Sequence, residues 1–316
     1  MTPAQIDAPE DTHRAGDDTE ASNTVREGDS IDALIFSEWA STVYQQKLPE
    51  DISSFRHLLE TWARIPPGEI DDHLYKIRDN ALFVQKYPCI CDWAFTNLSK
   101  TLTEDFQAAI KRLQAPNSGD ALLDLGCCLG QIVRQLAYQG IPTEKLYGAD
   151  LFQEFLDIGF ELFRDEGKWP ADHFTAIDLL SKDEGVKEKL QGKVTIIHAA
   201  KLFHLFDWAD QVSIAVRVLD FLKPDVPNPM IFGNQVGKRD NPGTTPIAGI
   251  NLFLHNPGTL QRMWDEVGEA TGTRWRVEAA FLDKKAEELP GLSEDCWYLG
   301  WAVYRDVEEE GNAKDA

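Results

Sequence analysis

The stretch that most constrains this chain runs from Ala121 to Gly130, Ala-Leu-Leu-Asp-Leu-Gly-Cys-Cys-Leu-Gly. Four of its residues read as a short buried strand that breaks at a glycine turn. Gln131–Ala137 follows, with apolar positions 132, 133, 136 and 137 at helical spacing. Strand, glycine turn and helix in that order aim backbone N–H groups and a helix N-terminus at a ligand. Glycine is needed where that ligand approaches the backbone or where the turn demands positive φ. A dinucleotide-binding turn would require Gly-x-Gly-x-x-Gly. Gly126 and Gly130 stand four apart with no glycine between them, which does not fit. Asp124, two residues before the first glycine, suits a ligand carrying an amino group better than a pyrophosphate.

From this point strands and helices alternate. Leu146–Asp150, Phe174–Asp178, Val194–Ala199 and Met230–Gly233 read as further strands, with helices over Phe152–Phe163 and Ser213–Leu222. Such alternation implies a mostly parallel sheet with right-handed crossovers. Residues 234–257 read as a loop carrying the basic pair Lys238-Arg239. A helix around Leu260, Met263, Trp264 and Val267 follows. The aromatic runs Trp275–Phe281 and Trp297–Tyr304 are suited to antiparallel pairing at the sheet's edge.

Upstream, residues 31–118 read as a helical cover. One apolar stripe is Ile31, Leu34, Ile35, Trp39 and Val43, and another is Phe55, Leu58, Leu59 and Trp62. Thr101-Leu102-Thr103-Glu104 has the pattern of a capping box for a helix burying Phe106, Ala109, Ile110 and Leu113. Residues 1–30 hold eight acidic and two basic residues and read as a disordered tail, and 306–316 as a shorter acidic one. That leaves 119–305 as the ligand-binding domain.

Composition excludes several classes. A net charge of −22 and a pI near 4.6 argue against nucleic acid, whose phosphates need clustered Lys and Arg. No apolar run approaches the ~20 residues of a membrane span. No signal-peptide apolar region opens the chain, so a cytoplasmic protein is expected. The five cysteines (89, 91, 127, 128 and 296) lack metal-site spacing, so reduced thiols and no metal are expected.

Open α/β sheets bind ligands beyond the carboxyl ends of their strands. Four successive strands deliver Asp124, Asp150, Asp178 and His198 to that edge. Asp150 is suited to accept both ribose hydroxyls of a nucleoside. The glycine turn resembles motif I of the class I S-adenosylmethionine-dependent methyltransferases, an acidic residue followed by Gly-x-Gly-x-Gly, with Cys128 at the middle glycine's place. Leu123–Gln131, Leu146–Leu151, Phe203–Gln211 and Tyr87-Pro88-Cys89-Ile90 resemble, more closely, the fungal methyltransferases of meroterpenoid pathways. The resemblance covers roughly 85–305.

It implies a Rossmann-like α/β fold with a seven-stranded, mostly parallel sheet. It implies S-adenosylmethionine as cofactor, held by Asp124, Leu125, Gly126, Cys127, Gly130, Asp150, Leu151, Asp178, Leu179 and His198. Asp178 would meet the adenine amino group, with Leu179 against the ring. Some members form methyl esters on a prenylated polyketide acid. A small lipophilic acceptor is therefore the expected partner, and a homodimer is compatible with such a chain.

Methyl transfer from an activated sulfonium gains on the order of 7–11 kcal/mol from proximity and alignment. A general base adds about 10²–10⁴-fold, and only where the acceptor must lose a proton. A carboxylic acid with a pKa of about 4 is already ionised at neutral pH. Ester formation therefore needs no base, whereas a phenol, alcohol or amine acceptor benefits from one. His204 is the candidate catalytic base, with His198 second, and Lys201 or Lys238-Arg239 are candidate carboxylate anchors. An inactive scaffold that binds the cofactor is a third reading, prompted by Cys128.

Overall fold

A computed structural model describes residues 43–181, 185, 188–224, 226–247, 250–286 and 292–306. The acidic stretch 1–30, the apolar stripe at Ile31, Leu34, Ile35 and Trp39, and residues 307–316 lie outside the described residues. Seven strands form one sheet: β1 (Leu122–Leu125), β2 (Leu146–Asp150), β3 (Phe174–Ala176), β4 (Ile196–His198), β5 (Met230–Lys238), β8 (Trp275–Lys285) and β9 (Cys296–Arg305). Their order is β3-β2-β1-β4-β5-β9-β8. The first five are parallel, and β9 pairs antiparallel with both β5 and β8. Every residue of β1 is buried, as expected for a parallel strand covered on both faces. The alternation of strands and helices implies the parallel part of this sheet, and the resemblance to class I methyltransferases implies its seven strands.

The chain order of helices is α1 (Ser53–Thr61), α2 (Ile70–Val84), α3 (Pro88–Cys91), α4 (Glu104–Gln114), α5 (Gln131–Tyr138), α6 (Gln153–Phe163), α7 (Trp208–Leu219) and α8 (Pro257–Thr271). On one sheet face Leu123, Ile197, Ile231 and Leu299 share a core with Ile214 and Val218 of α7 and Trp264 of α8. On the other, Leu122, Ile196 and Phe232 pack with Phe106 of α4 and Val133 and Leu136 of α5. The N-terminal helices share a core with α6 and the glycine turn: Phe55, Leu59, Leu74, Ile77 and Phe95 join Phe155, Leu162, Cys128 and Leu129.

That junction is fastened by a buried ion pair. Arg134 of α5 donates from Nε and Nη2 to Asp165, at 2.9 and 3.0 Å, and both side chains are 0% exposed. Asp165 also accepts from the indole N–H groups of Trp62 (2.8 Å), just beyond α1, and Trp169 (2.9 Å). Arg134 donates further to the carbonyls of Leu129 and Gly130. A Cβ on Gly130 would collide with this guanidinium and with the Phe174 ring, and φ there is +67°. Gly130 is therefore required by packing as well as by backbone conformation.

Three expectations change. The cap of α4 is Thr103, whose hydroxyl accepts from Phe106 N at 3.4 Å, not Thr101, which is buried and donates to Leu98 O at 3.2 Å. Helix α7 starts at Trp208, five residues before the predicted Ser213, because Asp207 caps it through Asp210 N (2.9 Å). The predicted loop 234–257 is largely strand. β5 runs on to Lys238, paired along its whole length with β9, and β6 (Gly243–Ile247) with β7 (Ile250–Leu254) forms an antiparallel pair of its own. The two aromatic runs pair antiparallel at the sheet's edge as expected, with β9 next to β5 and β8 outermost.

The β6–β7 pair is locked to α7 and α8 by buried polar groups. Gln211 donates to the carbonyls of Phe206 and Phe253 and meets His255 Nε2 at 3.0 Å. His255 Nδ1 meets the Thr259 hydroxyl at 3.1 Å.

Removing Asp165 leaves a buried guanidinium without its counter-charge, so Asp165→Ala should cost about 3–5 kcal/mol in urea unfolding; a loss below about 1 kcal/mol would contradict the pair's role. Burial pushes the pKa of His255 down to about 4. An ordinary histidine titrates near 6.5, so between these values the unfolded chain binds the extra proton. Stability from His255 is complete above about 6.5 and is lost as pH falls toward 4. Acidification from pH 7 to 4.5 should destabilise the wild type by about 2 kcal/mol more than His255→Gln. Equal losses in the two proteins would refute this assignment.

Candidate active site

A cavity of about 610 Å³ opens at the carboxyl ends of β1, β2 and β4, where an open parallel sheet holds its ligands. Its floor is Leu125, Gly126, Asp150, Ile177 and Ala200. Tyr87, Cys89 and Phe95 of the cover form one wall, and Lys201, Leu202, His204, Phe206 and Tyr298 another.

The glycine turn is built from three left-handed residues: Gly126 (φ +72°), Cys128 (+54°) and Gly130 (+67°). Cys128 thus takes the backbone conformation that a middle glycine would supply, at a cost of roughly 1–2 kcal/mol. A hydrogen bond from Cys128 N to Asp150 Oδ2, at 2.7 Å, holds it there. The Cys128 thiol packs into the cover's core, and its hydrogen bond with Cys89, together with burial, pushes its pKa well above the ordinary thiol value. The turn keeps its geometry with cysteine in place, which removes the reason for reading the chain as inactive.

Asp150, at the end of β2, is 8% exposed and lines the cavity. Burial raises its pKa, opposed by backbone N–H groups led by that of Cys128. Phe152 N reaches Oδ1 at 3.4 Å. With Oδ2 engaged by the turn and lone pairs remaining toward the cavity, this carboxylate suits a vicinal diol.

Of the residues expected from sequence, Leu125, Gly126, Asp150, Leu151, Asp178, Leu179 and His204 line the cavity. Asp178 stands two residues beyond β3, not at its end, because Ile177 N makes the final ladder bond to Asp150 O and Asp178 then turns the chain through Leu180 N (2.9 Å). Asp124, Cys127, Gly130 and His198 lie behind the cavity. Asp124 Oδ1 meets His198 Nδ1 at 2.6 Å across paired positions of β1 and β4, and the Phe106 ring lies tilted against the His198 ring, 4.5 Å between centroids. Cys127 is packed beneath Gly148. His204 is 7% exposed with Nδ1 unpartnered among the described residues, and burial, then the charge of Lys201, pushes its pKa down to about 3.

Sequence reasoning did not include Tyr87, Cys89, Gln131 or Tyr298 among the site residues. The first two sit at the break Tyr87-Pro88-Cys89, a signal that was legible. Tyr298 arrives only through the β5–β9 pairing.

This strand order, with a glycine turn after β1 and an acid ending β2, defines a class I, S-adenosylmethionine-dependent methyltransferase. The residues present fit that cofactor: Gly126 offers its backbone, and Asp150 a carboxylate already aimed into the cavity.

Residues 43–96 match the family model for the meroterpenoid methyltransferase N-terminal domain. The chain is 38% identical to the O-methyltransferase atr3 of Stereocaulon alpinum, over 81% of this chain and 74% of that one. It is 35% identical to the O-methyltransferase phiE of a fungal species, over 77% and 80%. It is 34% identical to the asnovolin E/chermesin D methyltransferase nvfJ of Aspergillus novofumigatus, over 71% and 79%. The chain belongs to this family of fungal methyltransferases. Among solved structures, the Burkholderia thailandensis 1,6-didemethyltoxoflavin-N1-methyltransferase aligns with a TM-score of 0.44 and 16% identity, over 74% of this chain and 90% of that one.

Two charge-assisted hydrogen bonds are worth about 1.5–3 kcal/mol each. Asp150→Ala should therefore weaken S-adenosylmethionine and S-adenosylhomocysteine by about 100-fold or more in calorimetric titration. Affinity within about threefold of the wild type in a folded variant would rule out Asp150 as the ribose acceptor.

Proposed function

We propose that the protein methylates a carboxylate oxygen of a lipophilic terpenoid or polyketide acid, forming a methyl ester. The observation that carries this reading is the mismatch between His204 and the work of a base. A base is most effective when its pKa lies near the working pH. His204, at about 3, is neutral but a weak proton acceptor. Tyr87 lies on the opposite side of the range, its phenol pushed up by burial and by Asp150. A carboxylate requires neither.

When bound, S-adenosylmethionine supplies a methyl group on a sulfonium, ready for in-line displacement. The chain's own residues bind and orient the reactants. Asp150 and the Gly126 backbone hold the nucleoside end. Phe95, Leu202, Leu205 and Phe206 offer apolar surface to a lipophilic acceptor and exclude water from it. Relatives named as O-methyltransferases support oxygen as the accepting atom.

The rate of ester formation should stay flat from about pH 6 to 9, since the acceptor acid, with a pKa of about 4, is ionised throughout. His204→Asn should keep kcat within about tenfold. A loss of about 10²–10⁴-fold, with a limb rising with pH in the wild type, would instead establish a phenol, alcohol or amine acceptor and a histidine base.

A further inference from the structure

We propose that Lys201 and Tyr298 form the subsite that holds the acceptor's carboxylate, with Lys284 adding positive charge behind it. This rests on the ester-forming reading above. In a chain of net charge −22, the cavity lining includes the carboxylates Asp92, Asp150 and Asp178. An anionic acceptor entering it needs a local cation. Lys201 is the only lysine or arginine among the described lining residues.

The backbone also singles out Lys201. It follows the end of β4 with φ +55°, a left-handed conformation that lysine rarely adopts. Its N–H donates to Asn234 O on β5 at 2.6 Å, which holds the chain in that turn. Non-glycine residues in such conformations cluster at sites where a side chain must be aimed. The side chain here is aimed at Tyr298: Nζ lies 3.3 Å from the phenol oxygen and 4.8 Å from the ring centroid. Tyr298 is 4% exposed and lines the cavity, and the Lys284 ammonium lies 5.3 Å from its ring centroid. Two ammonium groups therefore lie near one buried phenol ring.

The donor arithmetic fits a carboxylate. An ammonium has three N–H donors and no acceptor, so in the Lys201–Tyr298 bond the lysine donates and the phenol oxygen accepts. An adjacent carboxylate can take one N–H from Lys201 and the O–H from Tyr298 on its two oxygens. A neutral alcohol offers one oxygen and no charge. The subsite thus selects lipophilic monocarboxylates over the corresponding alcohols. Burial first, and then the Lys201 ammonium, lower the basicity of His204, which keeps that ring neutral.

The test is calorimetric titration of the full chain, with and without S-adenosylhomocysteine, using farnesoate and farnesol, which share a hydrocarbon and differ in the carboxylate. Wild type should bind farnesoate about tenfold or more tightly than farnesol, the equivalent of one charge-assisted hydrogen bond. Lys201→Asn, a residue that tolerates the left-handed backbone, should bring the ratio close to one while farnesol binding persists, which shows an intact cavity. Lys201→Arg should retain most of the preference, and Tyr298→Phe should lose part of it. Equal binding of acid and alcohol by the wild type, binding of neither, or a preference unchanged in Lys201→Asn would overturn the proposal. S-adenosylmethionine affinity is measured on the same proteins. Its absence from the wild type would overturn the methyltransferase reading, while the acid-to-alcohol ratio still reports on the subsite.

Discussion

The buried pair between Arg134 and Asp165 is the interaction on which the arrangement of the site depends. One guanidinium reaches Asp165 and the carbonyls of the glycine turn at the same time. One carboxylate then collects the indole N–H groups of Trp62, from the cover, and Trp169. Neither charge has water to fall back on, and desolvation alone would make both costly. What makes the pair tolerable is that nearly every donor and acceptor it presents is used. The turn, helix α5 and the N-terminal cover are thereby held in one geometry, and the cavity is the space left between them.

That cavity is arranged electrically as well as sterically. The carboxylate of Asp150 meets the turn's backbone at the end of β2, while the cation of Lys201 stands on a different wall beyond β4. In the proposed reading, an acid on one side and a lysine on the other separate a nucleoside-binding end from an acceptor end. His204, near the second, is kept neutral by burial and by its cationic neighbour. The paired Asp124 and His198 sit behind the sheet edge and tie β1 to β4. Their contribution is to the floor of the site and not to its surface.

The sequence was most legible where the physics is local. The central strand, the glycine turn and the amphipathic helix after it follow from apolar spacing and from where positive φ is tolerable. Asp150 could be placed because a strand end is a local feature. The extent of β5 could not. Gln235 and Gly237 look like parts of a loop, and only the long partner strand β9 makes that backbone extended. Asp124 and His198 show the other limit: the sequence brings both to one edge of the sheet, but their meeting with each other follows from the register of β1 on β4.

By itself, then, the sequence determined the α/β alternation, the site of the nucleotide-type turn and the acid that ends β2, since each rests on interactions within a few residues. Tertiary structure alone decided which polar groups meet in the cavity. Lys201 owes its direction to a hydrogen bond with a strand more than thirty residues on, and Tyr298 reaches the cavity by antiparallel pairing with β5. The depressed basicity of His204 comes from burial under segments distant in the chain. Distances and desolvation of that kind are properties of the packed molecule, and no local pattern of residues encodes them.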